Sequence, residues 1–243
     1  MPCAPAQCPP RHAPLRRFCA LLAFLLAPLP GHAEQLWFVE TLGLKVGEFR
    51  LAVTETETRY AGRAVFRTTG LADLLAGVRV DLSTTGIRGN THPRPHIYQG
   101  DIHTGRRQAR AEVDFSTTPP RVLQSLAPPA SPITPAALAE TIDPLTLLWL
   151  TLRDQKTVPC PPQRRHFDGT RVASVDFPRQ TRTDRTITCH GTYRRLFGYS
   201  AEELSERQSA PLSVTYQRNG LFWRATRLTL KARHGRATLI RQD

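Results

Sequence analysis

The stretch PLSVTYQRNGLFWRATRL, residues 211–228, decides the class of fold. Leu212, Val214 and Tyr216 alternate with Ser213, Thr215 and Gln217. A period of two over this length is a strand with one face in a core and one in water. Asn219–Gly220 then interrupts the pattern before LFWRATRL resumes it. Asn-Gly favours the positive backbone angles of a type I′ turn, so the stretch predicts a tight antiparallel hairpin.

The same signature recurs along the chain. VGEFRLAVT (46–54), VRVDLS (78–83), AEVDF (111–115) and TRVASVDF (170–177) all alternate. Gly105, Asp168–Gly169 and His234–Gly235 fall between such runs as further turn signals. HFDGTR (166–171) therefore predicts a hairpin tip, although its His, Asp and Arg could also belong to a site. The sum is about ten or eleven strands, mostly antiparallel.

Two segments break the alternation. TGLADLLAG (69–77) allows one or two helical turns. DPLTLLWLTLRD (143–154) is a stronger helix, with Asp143 as N-cap and Pro144 at the first helical position. Leu145, Leu148, Trp149 and Leu152 share a face, and Leu147 and Leu150 make the helix apolar almost all round. Such a helix belongs in an interior. The proline-rich SLAPPASPITPAA (125–137) precedes it as a linker. The expected fold is thus all-β and mainly antiparallel. A strongly curled or barrel-like single domain, 34–243, would wrap one buried helix at about 143–154.

Residues 1–33 differ from the rest. Arg11, Arg16 and Arg17 precede the apolar run FCALLAFLLA (18–27), and Gly31 and Ala33 supply small residues for cleavage. This predicts a secretory signal peptide and a periplasmic mature chain. The apolar run is too short to span a bilayer, so no transmembrane segment is expected in the mature chain. An outer-membrane barrel is disfavoured because aromatic residues, at 7%, are too few for its girdles. Removing the leader also removes Cys3, Cys8 and Cys19, leaving Cys160 and Cys189. An even pair in an oxidising compartment predicts a disulfide. A metal site using these cysteines with His166 and His190 matches no familiar spacing.

The net charge of +13 is carried almost wholly by arginine, the lysines being Lys45, Lys156 and Lys231. Scattered arginines fit a solvated surface, or an anionic envelope component as partner. Export makes nucleic acid an unsuitable partner. His92 and His96 in THPRPHIY would sit about 13 Å apart on one strand face, too far to share a metal. No G-x-S-x-G elbow, S-x-x-K pair or glycine-rich phosphate loop occurs, so neither a catalytic set nor a cofactor is expected. In LFGYSAEEL, Ser200 and Glu203 are spaced as a capping box. Tyr98, Leu148, Trp149, Leu152 and Trp223 are candidates to line a ligand cavity between helix and sheet.

Six motifs occur in order: LWFVETLGLKVGEF (36–49), TTGLADLL (68–75), PHIYQGD (95–101), DPLTLLWL (143–150), HFDGTR (166–171) and CHGTYRRLFGY (189–199). Together they resemble the family called domain of unknown function 3108, over roughly 36 to 241. The resemblance implies a β-rich, barrel-like exported protein of Gram-negative bacteria and carries over no catalytic residues. Three functions follow as expectations. The first is non-catalytic binding of a lipid or acyl chain. The second is a structural or interaction role with a filled core, and the third, least favoured, is an envelope hydrolase.

Overall fold

In the computed structural model, the described residues are Met1 and 33–242, apart from 71, 74–76, 90, 91, 106, 158, 233 and 234. The expected leader thus lies almost wholly outside them, as does His234 of the last expected turn. Fourteen strands form one sheet: β1 (Ala33–Thr41), β2 (Leu44–Glu55), β3 (Arg59–Thr68), β4 (Arg79–Ile87), β5 (Arg94–His103), β6 (Gln108–Asp114), β7 (Arg121–Ser125), β8 (Thr141–Ile142), β9 (Arg164–Phe167), β10 (Val172–Arg182), β11 (Thr186–Phe197), β12 (Ser209–Asn219), β13 (Phe222–Ala232) and β14 (Gly235–Arg241). Among the described residues the helices are α1 (Pro135–Leu138), α2 (Pro144–Leu152) and α3 (Ala201–Glu206). Strand order is β7-β6-β5-β4-β3-β2-β1-β14-β13-β12-β11-β10-β9-β8. Every pairing is antiparallel except β8 with β9.

The strongly curled, barrel-like sheet expected from the sequence is corrected here to an open one. β7 and β8 end the sheet as edges, and no ladder joins them. Neither edge is built for closure: all five residues of β7 are exposed, and β8 contributes two residues. These short edges, with the four-residue β9, also explain why the strand count exceeds the expected one. Runs this short carry no readable alternation.

The hairpin at 211–228 forms, with one shift. Asn219 pairs with Phe222, so Gly220 and Leu221 are the central turn residues. Gly220 has φ +58, whereas Asn219 keeps a negative φ. Glycine at the first central position is the II′ arrangement rather than the expected I′.

α2 is the buried helix. Leu145 and Leu152 are fully buried, and Trp149 stacks on Tyr60 of β3 with ring centroids 4.8 Å apart. A helix buried in apolar surroundings must satisfy its end groups with side chains. Asp143 caps the N-terminus by accepting from Thr146 N at 2.8 Å. At the other end Tyr216 Oη donates to Thr151 O at 2.6 Å, and Gln35 Nε2 donates to Leu152 O at 3.3 Å. These bonds fix the helix against β1 and β12 as well as β3. Around it lie Trp37, Leu51, Val113, Phe167, Ile187 and Val214, all essentially buried.

Candidate functional site

Of the five candidate lining residues, Tyr98, Leu152 and Trp223 belong to one buried cluster with Leu148 packed against it, and Trp149 is buried as well. Tyr98, Trp149, Leu152 and Trp223 are each less than 5% exposed, and Leu148 is half-buried against the same core. Added atoms at Gly62 would already touch Val53, Leu145 and Thr84 at 3.3–3.5 Å, so helix and sheet are in contact there. Of the five, Trp149 borders a cleft among those described below. That cleft, of about 570 Å³, opens at the C-terminal end of α2.

Its lining is mixed, with Leu51 and Val53 from β2, Trp149 from α2 and Phe222 from β13 as the apolar part among polar and charged side chains that include Glu34, Glu55 and Asp154. The alternation of VGEFRLAVT places Leu51 and Val53 on one strand face. Cations stand beside this apolar part. Arg153 ends α2 by donating its N–H to Trp149 O at 2.9 Å, and its guanidinium lies 5.2 Å from the Trp149 ring. Burial lowers its pKa from the ordinary arginine value. Lys156 Nζ stands 5.7 Å from the Phe222 ring. Arg153 and Lys156 make no ion pair among the described residues, although the nearby Glu55 charge acts on Arg153; Arg88 is ion-paired with Glu55 and Arg224 with Asp154. The sequence offered Trp149 for this site. It missed Arg153, Lys156 and Phe222, which only the fold brings together.

Above the N-terminus of α2 lies a buried polar chain. Asp143, fully buried, accepts from Thr84 Oγ1 at 3.1 Å and from the Thr146 hydroxyl, which in turn accepts from Tyr60 Oη at 2.8 Å. Burial pushes the Asp143 carboxyl up to about 6, against the lowering effect of these donors. Tyr98 Oη is buried with no hydrogen-bond partner among the described residues. Burial, then the charges of Asp168 and Asp143, raise its pKa.

HFDGTR is a hairpin tip between β9 and β10, with Gly169 at φ +96. Asp168 Oδ1 accepts from Thr170 N at 2.9 Å and Arg171 N at 2.8 Å. Arg107, between β5 and β6, donates to Asp168 Oδ2 at 3.0 Å and to Thr170 Oγ1 at 2.8 Å. Burial alone would raise the Asp168 carboxyl, but Arg107 and the Thr170 bonds hold it below the ordinary value. The turn ties two distant parts of the strand order together, and its carboxylate is fully occupied by that task. Beside it His166 is half-buried, with Nδ1 sealed from solvent and unpartnered among the described residues. Burial drives its pKa down to about 4, opposed by the nearby Asp168 charge.

Cys160 and Cys189 form a disulfide, with Cα atoms 5.5 Å apart. Ser200 and Glu203 complete the capping box of α3. His92 and His96 are both exposed. Among the described residues no three His, Cys, Asp or Glu side chains gather to hold a metal. No helix among them is long and apolar enough to cross a membrane.

Residues 36–195 match the model of the family described as "Protein of unknown function (DUF3108)". The match stops within β11, short of the span to 241 expected from the motifs, and leaves α3 and β12–β14 outside it. No curated protein and no solved structure matches the chain. Because the matched segment covers most of the sequence, the chain belongs to the DUF3108 family.

Proposed function

We propose that the chain is an exported, non-catalytic binding protein of the cell envelope, and that it holds a lipid-like molecule at the mouth of the α2 layer. One observation carries this: the apolar side chains of Leu51, Val53, Trp149 and Phe222 share a cleft with Arg153 and Lys156, cations that make no ion pair among the described residues. An acyl chain suits the apolar side chains, and an anionic head suits the cations. The cleft volume of about 570 Å³ suits part of a chain rather than a whole lipid swallowed by the protein.

Titration with a dansylated fatty acid tests this. The wild-type protein should enhance dansyl fluorescence saturably. Phe222→Ala should weaken binding about tenfold, the worth of a largely buried aromatic contact. No enhancement, or full retention in Phe222→Ala, would count against the Trp149 cleft.

A second role, as an interaction protein, is favoured by the β7 edge. Val122, Leu123 and the adjoining Leu126 are 40–59% exposed there. An open edge with apolar side chains can accept a strand from a partner. Crosslinking from Val122 in cells should then capture one reproducible partner, and a lysine at that position should abolish the capture.

A further inference from the structure

We infer that a second cleft, between the β4–β5 connection and the β8–β9 edge, binds a phosphate-bearing anion. It is independent of the Trp149 site and does not rest on the function proposed above. The cleft encloses about 920 Å³ and is lined by His92, Arg94, His96, Arg164 and Arg165 among others. Its volume is in the range of sites for small organic ligands.

The charges are the decisive feature. Arg164 is half-buried, and its Nη2 lies 3.3 Å from His92 Nδ1. No carboxylate pairs with Arg94, Arg164 or Arg165 among the described residues. Glu140, the carboxylate in the lining, reaches none of them. Some arginines of the sheet are neutralised locally, Arg63 by Asp81 at 2.9 Å, Arg110 by Asp101 at 2.6 Å and Arg194 by Asp176, while others such as Arg179, Arg182 and Arg227 make no ion pair among the described residues. What distinguishes this cleft is that three guanidinium groups without ion pairs line one concavity. Like charges around one concavity repel, and a multiply charged anion between them offsets the repulsion.

The donor set also favours phosphate. Each guanidinium presents five N–H groups in a planar fork that matches phosphate oxygens in pairs. When His92 Nδ1 accepts from Arg164, the neutral ring carries its proton on Nε2, which adds a donor. Pro93 and Pro95 fix the backbone between the two histidines, and Pro95 is buried. The backbone from His92 to His96 is therefore restrained before any ligand arrives, which lowers the ordering cost of binding.

Phosphate can be presented by a soluble ester or by a lipid headgroup, and two probes separate these sources. The first is isothermal titration with inorganic phosphate. The second is sedimentation with phosphatidylcholine vesicles with and without phosphatidic acid. The double variant Arg94→Gln/Arg165→Gln removes two exposed cations, and a thermal melt confirms that it folds. The control Arg63→Gln/Arg110→Gln removes the same charge from paired positions. At least one probe should bind the wild type, the cleft variant should weaken it about tenfold or more, and the control should leave it within about twofold. Phosphate binding without vesicle recruitment assigns a soluble ester. Recruitment that depends on phosphatidic acid and on Arg94 and Arg165 assigns a headgroup. Absence of binding to both probes, or equal weakening in cleft variant and control, overturns the inference. Inorganic phosphate carries no acyl chain for the Trp149 cleft, so a failed phosphate titration is distinct from failure at that cleft.

Discussion

Tyr98 carries a buried hydroxyl that the fold leaves without a partner. Such a group costs its desolvation and gains nothing in return. Tyr98→Phe should therefore stabilise the protein by about 1 kcal/mol, read from urea denaturation. A loss of that size would mean the hydroxyl has a partner after all. Asp143 and His166 are titratable groups that burial drives in opposite senses. The Asp143 pKa is raised from 3.8 to about 6, so its contribution is full below pH 3.8 and is lost as pH rises to 6. The His166 pKa is lowered from 6.5 to about 4, so its contribution is full above pH 6.5 and is lost as pH falls to 4. Each effect is on the order of 3 kcal/mol, and between these limits they oppose each other. Asp143→Asn should unmask His166 and make stability climb with pH across this window. His166→Gln should unmask Asp143 and make it fall. Denaturation midpoints measured across the window check both slopes; identical slopes in the two variants would contradict the assignment.

The hairpin tip at Asp168–Gly169 joins turn geometry to packing. A Cβ at Gly169 would lie 2.4 Å from the Ala111 Cβ of β6, and its φ of +96 disfavours any side chain. Gly43 has a φ of +80 but open space around it. Gly43→Ala should cost about 1–2 kcal/mol for conformation alone, and Gly169→Ala a further 1–3 kcal/mol or so for overpacking. Equal costs in thermal melts would show that the β6 contact is loose. Elements of this kind divide into those legible in the sequence and those that are not. The tip at 168–169, the helix from Pro144 with its Asp143 cap and the Ser200–Glu203 box are local, and residue chemistry over a few positions specifies them. The one-residue shift at Asn219–Gly220 is not, because a two-residue turn takes its centre from the strand register on both sides. β7 is exposed on every residue and β8 is two residues long, so neither has an alternating pattern to find. The sites were the least legible. Trp149 was visible as a large residue on a buried helix. Arg153 and Phe222, and His92 and Arg164, meet only because β2, β13 and α2, or β5 and β9, are brought together across the sheet.

For the whole molecule, the Cys160–Cys189 bridge spans a sequence separation of 29 and ties β11 to the chain that follows α2. On the chain-entropy model a loop of this length contributes about 3–4 kcal/mol. Cys160→Ser/Cys189→Ser should lower stability by that amount in denaturant titrations; an unchanged midpoint would contradict the model. A bridge of this kind persists in an oxidising compartment, where the export proposed for this chain would place it. Export, a packed core and a cleft of apolar and cationic side chains are then parts of one account. Native mass spectrometry of the protein recovered from the periplasmic fraction of a Gram-negative host tests that account most directly. It predicts the mass of residues 34–243 with the disulfide formed, carrying a lipid-like adduct that Phe222→Ala depletes. Recovery of the uncut chain in the cytoplasm, or of an adduct-free protein, would contradict it.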